Sequence, residues 1–493
     1  MSRTLPNPLT VPRRDGRWST RSRWRPAVAR GEQGGWREQL DPGTGSAFAE
    51  VLDMTTGEIS RHIEVMRSEY DAGPIPTLSE RRELLIQAAN AIEAAAIDLG
   101  ELDSLCTGKR HTDATATANA GAAILRYYAE QIAANPYSSV EPSDNPRLAQ
   151  IVDRLPVGLV ACILPWNFPL SQACARLAMS FASGNAGVYK GSELAQPPLL
   201  ALEELVLGAG LPRWAFSVVT GGPDAGRALV EAPEIDAICF TGGVPTGAAV
   251  AASAARSLKR VILELGGKTP FVVFADADQD AALEVALKAG FNFQGQACNA
   301  GSLLLVERPA FEEFLDRIVP RVEALTLGHQ LAEATEIGPM ISDAQRARIH
   351  GMVAEARDRG ATVRAGGRAV TELGDGFFYE PTVITDVPTV TAAATDELFG
   401  PVVVAYPFDS EEEVTKRVNE SEYGLAATVW TTDTDRVARM RSTLRTGQLY
   451  VNTHGHVGRN VPWGGFRLSG VGRLYGRDGL YAFTEARSTY IMA

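Results

Sequence analysis

Cysteine and histidine are scarce: 493 residues carry five of the first and six of the second. Cys106, Cys162, Cys174, Cys239 and Cys298 are too few and too scattered for a disulfide framework or a zinc cluster, so no resident metal is expected and a reducing, cytoplasmic setting fits. Long apolar runs are also missing. Nothing approaches the roughly 18 residues of a membrane span. Positive charge is in deficit, with 47 Lys and Arg against 59 Asp and Glu and a net charge of −12, which disfavours nucleic acid because phosphate binding relies on clustered cations. The one basic stretch, residues 13–30, has weakly the composition of a transit peptide, and a solvated N-terminal arm is the favoured expectation there. There is no G-x-G-x-x-G fingerprint, no internal repeat, and no histidine in a motif that would pair with a cysteine nucleophile. The last absence disfavours a cysteine hydrolase or acyltransferase.

What is present is enough apolar material, 45% of the chain, to bury a large core in two or three domains. Short apolar runs at 157–163, 186–190, 215–219, 235–240 and 261–264 alternate with helical patterns near 171–182, 195–209, 223–231 and 244–256. That alternation predicts a parallel sheet covered on both faces. A second series follows, with strands at 271–274 and 302–306, helices at 279–291 and 310–326 and further units through 349–359 and 411–419, and predicts a second α/β domain. Upstream, Thr77-x-x-Glu80 has the spacing of a capping box before an amphipathic helix through Leu85, Ala88, Ile92, Ala95 and Leu99. Prolines and asparagines in 134–155 break the helical pattern and suggest extended chain.

Chemistry concentrates at Cys298, in Gly295-Gln296-Ala297-Cys298, and at Glu264, in Glu264-Leu265-Gly266-Gly267-Lys268. A thiol is the best uncharged nucleophile available to a protein, and a carboxylate can activate water against what the thiol captures. The other four cysteines lack such a setting. Three loops after the predicted strands suit a nucleotide. Pro165-Trp166-Asn167-Phe168-Pro169 offers a stiffened amide donor, Lys190-x-x-Glu193 sets a cation and a carboxylate at a strand end, and Phe240-Thr241-Gly242-Gly243 lets backbone approach a pyrophosphate.

These motifs, with Glu397-x-Phe399-Gly400-Pro401 and Pro462-Trp463-Gly464-Gly465-Phe466-x-x-Ser469-Gly470-x-Gly472-Arg473, agree in order and spacing with one family. From about residue 40 to its C-terminus the chain resembles an NAD(P)-dependent aldehyde dehydrogenase. The resemblance implies two α/β domains with mostly parallel sheets, a Rossmann-like cofactor domain and a catalytic domain, plus a small β oligomerisation element. It places the cofactor domain at 1–133 and 156–264, the catalytic domain at 265–481 and the oligomerisation element at 134–155 and 482–493, in a homodimer or homotetramer. Cys298 is implied as nucleophile, Asn167 as oxyanion donor together with the Cys298 backbone N–H, and Glu264 as the base for deacylation. Cofactor contacts are implied at Ile163, Leu164, Pro165, Trp166, Lys190, Ser192, Glu193, Gly222, Gly226, Phe240, Thr241, Gly242, Gly243, Thr246, Leu265, Glu397 and Phe399. Glu193 favours NAD over NADP, since a carboxylate that accepts from ribose hydroxyls repels a 2′-phosphate.

The aldehyde tunnel is expected at Phe168, Gln172, Asn292, Phe293, Ala297, Asn299, His454, His456 and Arg459. Gln172 and Asn292 are polar where many relatives are apolar, which leans toward a polar, functionalised or aromatic aldehyde, and the two histidines with Arg459 suggest either attraction of an anionic tail or a hydrophilic exposed loop that frames the entrance. Two departures from the family pattern stand out. Gly243 replaces a usual Ser, removing a hydroxyl near the pyrophosphate, and Leu474 replaces a usual Glu. A coenzyme A-acylating variant and a catalytically retired NAD-binding subunit are the alternatives; intact Cys298, Glu264 and Asn167 speak against the second.

Overall fold

The computed structural model of the protein describes residues 34–134 and 137–492. The basic stretch at 13–30 lies outside them. Strands β1 (Trp36–Asp41) and β2 (Ser46–Leu52) form an antiparallel hairpin that sequence patterning did not anticipate. Four helices follow, α1 (Thr56–Ala72), α2 (Leu78–Ala94), α3 (Ala96–Thr107) and α4 (His111–Ala134). The Thr77 and Glu80 side chains close the expected capping box on α2, each bonding the other's backbone N–H. The predicted single helix breaks at Ala95, which separates α2 from α3.

Strands β3 (Ser138–Glu141) and β4 (Leu148–Pro156) then lead into β5 (Leu159–Ile163), β6 (Ala186–Lys190), β7 (Ser217–Val218), β8 (Ala237–Thr241) and β9 (Arg260–Glu264). Between them lie α5 (Pro169–Ala182), α6 (Pro197–Gly208), α7 (Pro223–Glu231) and α8 (Val244–Ala255). The last five strands pair in parallel in the spatial order β9-β8-β5-β6-β7. The chain winds outward from β5 to β7, then returns to add β8 on the other side of β5. Strand order therefore reverses between β5 and β8, and a crevice opens beyond their C-terminal ends, the usual ligand position in an open α/β sheet.

After β9 the chain passes directly to β10 (Pro270–Val273), α9 (Gln279–Phe291), β11 (Leu303–Glu307), β12 (Thr362–Ala365), β13 (Thr382–Thr385), β14 (Val402–Phe408), β15 (Ala426–Trp430) and β16 (Gln448–Val451). These strands form a second sheet in the order β12-β13-β14-β11-β10-β15-β16, parallel except at β12. A short strand, β17 (Gly470–Val471), returns to the first sheet antiparallel to β9, and β18 (Thr484–Met492) pairs with β4 in a three-stranded sheet with β3. The segment 265–269 thus carries the end of one sheet into the start of the other, which brings Glu264 to the boundary between them. Among the described residues no helix is long and apolar enough to cross a membrane.

Candidate active site

Cys298 sits just past α9 on a loop with forced backbone geometry. Phe293, Gln294 and Gly295 have φ of 53°, 57° and 64°, three successive left-handed residues of which two bear side chains. Such a conformation costs energy and persists only where the surroundings hold it. Here Gln294 Nε2 donates to Gly108 O at 2.8 Å, Gln296 Oε1 accepts from Ile341 N at 3.1 Å, and Gln296 O accepts from Asn167 Nδ2 at 2.9 Å. A Cβ on Gly295 would stand 2.1 Å from Gly400 O. Gly295→Ala is therefore expected to displace the nucleophile loop and lower kcat/KM by ~10²-fold, checked by steady-state kinetics alongside a thermal melt.

Burial, with the Glu397 and Glu264 carboxylates nearby, pushes the Cys298 thiol up to about 12, while the backbone N–H groups of Cys298 and Asn299 pull it the other way. The resting side chain is a thiol, and its proton must leave as the carbonyl is attacked. The remaining cysteines are fully enclosed, as the sequence suggested for the ones in apolar runs.

Glu264 ends β9. Its side chain is buried, its Oε1 has no hydrogen-bond partner, and burial raises its carboxyl to about 8 against the downward pull of Arg176 and Arg473. Trp463 adds a side-chain hydrogen bond to the carboxyl, which leaves Oε1 as its free oxygen; an acid with one free oxygen and a pKa near neutrality is suited to take up a proton. Arg176 escaped the sequence reading. It is buried in α5, and its Nη2 donates to Thr241 Oγ1 at 2.6 Å. The available signal was a lone arginine inside the otherwise apolar run from Ala173 to Met179, a position a cation occupies only with a partner.

Cys298, Asn167, Glu264 and Arg176 line one cleft of about 1750 Å³, larger than a single drug-sized site and roomy enough for a dinucleotide beside a substrate. Every predicted site residue borders it except Gly222. Gly222 caps α7 but faces the N-terminal hairpin instead, where a Cβ would meet Arg37 Nη2 at 3.4 Å. The first turn of α8 has no side-chain cap, so backbone donors of Gly243, Val244 and Thr246 face the cleft where an anion would gain from them. At the end of β6, Lys190 Nζ donates to Gly191 O at 2.9 Å and lies 3.9 Å from Glu193 Oε2; burial lowers its pKa. Gln39 Nε2 donates to the Glu193 carbonyl at 3.1 Å, so the hairpin braces this corner.

Across the cleft, Glu397 accepts from Gly267 N at 3.1 Å, and burial raises its carboxyl to about 7. Gly266 has to lack a side chain, since a Cβ there would be 2.3 Å from Glu397 Oε2. Phe399 meets Trp166 edge to face at 5.1 Å. Two further residues unforeseen from sequence hold this strap. Arg348 donates to the carbonyls of Leu398 and Glu397 at 2.8 and 2.7 Å, and Gln345 Nε2 donates to that of Phe399 at 2.9 Å. Ser469 ties the C-terminal motif to the junction, its Oγ donating to Gly266 O at 2.7 Å.

On the aldehyde side, Phe168 and Phe293 pack edge to face at 5.0 Å, with Gln172, Asn292, Ala297 and Asn299 around them. His454 does not fit the expected attraction of an anionic tail. Its Nδ1 shares a 2.7 Å hydrogen bond with Thr428 Oγ1, and burial lowers its imidazole to about 4, so it is neutral at pH 7. His456 and Arg459 are exposed at the rim.

A sequence model described as "Aldehyde dehydrogenase family" matches residues 29–489. Betaine aldehyde dehydrogenase of Bacillus subtilis (strain 168) is 35% identical over 459 residues, covering 92% of this chain and 94% of that one. An aldehyde dehydrogenase of Enchytraeus buchholzi is 36% identical over 462 residues, covering 92% and 91%. Among solved structures, an NAD+ complex of aldehyde dehydrogenase from Bacillus cereus superposes with a TM-score of 0.90 at 34% identity, covering 93% of each chain. The fold is that of a two-domain oxidoreductase acting on aldehydes. The chain belongs to the aldehyde dehydrogenase family.

Proposed function

We propose that this protein oxidises a polar, functionalised or aromatic aldehyde to its carboxylic acid, with NAD as hydride acceptor and Cys298 as covalent nucleophile. The observation that carries this reading is a half-buried thiol and a buried carboxyl with one free oxygen, Glu264 Oε1, bordering a single cleft that continues to the uncapped first turn of α8. That donor set fits a dinucleotide. The α8 amides suit the pyrophosphate, Lys190 and Glu193 the adenine ribose, and Glu397 with Phe399 the nicotinamide end. Glu193 favours NAD over NADP for the charge reason given above.

In this mechanism the Cys298 thiol releases its proton to water in the cleft as Sγ bonds to the carbonyl carbon. The oxyanion is received by the Cys298 backbone N–H and by the Asn167 amide, whose second N–H remains after the bond to Gln296 O. Loss of one such donor typically costs ~2.7–4 kcal/mol. The chemistry supplied by bound NAD is acceptance of the hydride that leaves the same carbon. Glu264 then takes a proton from water as the water attacks the thioester, and the acid departs with the sulfur restored. Retention of Glu264 favours water over coenzyme A as the acyl acceptor.

The three-stranded sheet, with Val140, Tyr490, Ile491 and Met492 exposed, is read as the oligomerisation element of a cytoplasmic homodimer or homotetramer. The domain boundaries are kept at 1–133 with 156–264 and at 265–481. The direct test is a panel of aliphatic, aromatic and carboxylated aldehydes with NAD or NADP, followed by absorbance of the reduced cofactor. Acid formation with NAD is the expected result, and no reduction with any member would end the reading.

A further inference from the structure

Phe168, Gln172 and Arg176 follow one another at four-residue spacing from the N-cap of α5, and all three line the cleft. The outer two are engaged. Phe168 packs against Phe293, and Arg176 donates to Thr241 Oγ1. The amide between them is not: Gln172 borders the cleft, and its Oε1, covered in this rotamer, accepts no hydrogen bond. A buried acceptor without a donor is costly, and that cost is relieved when the amide turns about its broad terminal torsion to meet a donor on a ligand in the cleft. The hydroxyl of Thr117, which lines the same cleft, is already bonded to Ala114 O at 2.7 Å and lies 3.3 Å from Asp103 Oδ2.

Behind the same wall, the Lys109 ammonium lies 5.0 Å from the centroid of the Phe168 ring and pairs with Asp103 at 2.7 Å, both fully buried. Binding of a quaternary ammonium group depends on aromatic faces free to meet it. Here Phe168 already serves one cation from behind, and its contact with Phe293 is edge to face.

We infer that the aldehyde accepted by this site is uncharged and carries a hydroxyl group that bonds to the Gln172 amide, and that a trimethylammonium aldehyde is a poor substrate. A hydroxyl both donates and accepts, so it satisfies the amide through either of its ends. A site built around such a bond discriminates strongly against the analogue that lacks the group. The inference rests on the aldehyde dehydrogenase reading of Cys298 and deepens it by naming the substrate class.

The test measures kcat/KM with NAD for matched pairs, glycolaldehyde against acetaldehyde and glyceraldehyde against propanal, and for betaine aldehyde, in the wild type and in Gln172→Leu. Hydroxylated members are expected to exceed their deoxy partners by at least ~tenfold and to exceed betaine aldehyde, and the pairwise ratio should fall toward one in Gln172→Leu. Ratios taken within one protein cancel any loss of folded enzyme. A wild-type ratio near one, a ratio unaltered in the variant, or betaine aldehyde as the preferred substrate would overturn the inference while leaving the dehydrogenase standing. Absence of NADH with every aldehyde would remove the underlying reading, and this one with it.

Discussion

Cys298→Ala is expected to reduce aldehyde-dependent NADH formation by more than ~10⁴-fold while NAD binding stays close to that of the wild type. The size follows from the absence of a substitute. Cys106, Cys162, Cys174 and Cys239 are buried inside helices or strands with their thiols pushed up by burial, and none borders the cleft. The sparing of NAD follows from geography. The groups assigned to the dinucleotide lie at the ends of β5, β6 and β8, on α8 and on the strap held by Arg348, and none needs the sulfur. Stopped-flow absorbance with a reactive aldehyde, beside calorimetric titration of NAD, separates the two effects. Turnover near the wild-type rate would exclude this sulfur as the nucleophile.

Glu264→Gln should slow the steady state by ~10²–10⁴-fold and convert linear NADH formation into a burst followed by slow turnover. The amide keeps the shape of the side chain but cannot take a proton from water, so hydride transfer runs once and the thioester waits. The wild type should show a milder form of the same behaviour at low pH. Burial raises the Glu264 carboxyl to about 8, and a base works only when deprotonated; turnover limited by deacylation therefore rises with pH through about 8 and falls below it as the carboxylate fraction shrinks. Loss of that limb in Glu264→Gln is the expected signature. A variant slowed equally in burst and steady state would place Glu264 elsewhere in the cycle.

The legible parts of the chain were those governed by local pattern. The run at 186–190 became β6 and the helical patterns at 223–231 and 279–291 became α7 and α9 with matching ends, since a buried parallel strand and an amphipathic helix each write their period into the sequence. The hairpin of β1 and β2 left no comparable trace. Its residues are half exposed, and its value lies in what it touches, with Gln39 on Glu193 and Arg37 opposite Gly222. Strand β17 was hidden for a related reason. Two residues carry no period, and only the register of Gly470 against Glu264 reveals them. Gly222 is the converse case, a glycine expected at the cofactor that lies instead beside Arg37 of the hairpin and outside the cleft lining.

By itself the amino-acid order determined the alternating α/β architecture and picked out Cys298, Glu264 and the loops that meet at the cleft, because each rests on residue type and short spacing. Tertiary structure alone decided the electrostatics. That Glu264 keeps one oxygen free, that Arg176 and Arg473 moderate it, that His454 is neutral and that Gln172 borders the cleft with its Oε1 unpaired all depend on burial and on neighbours distant in sequence. Charge is priced by solvent access and by distance in space, neither of which is written along a single strand of residues.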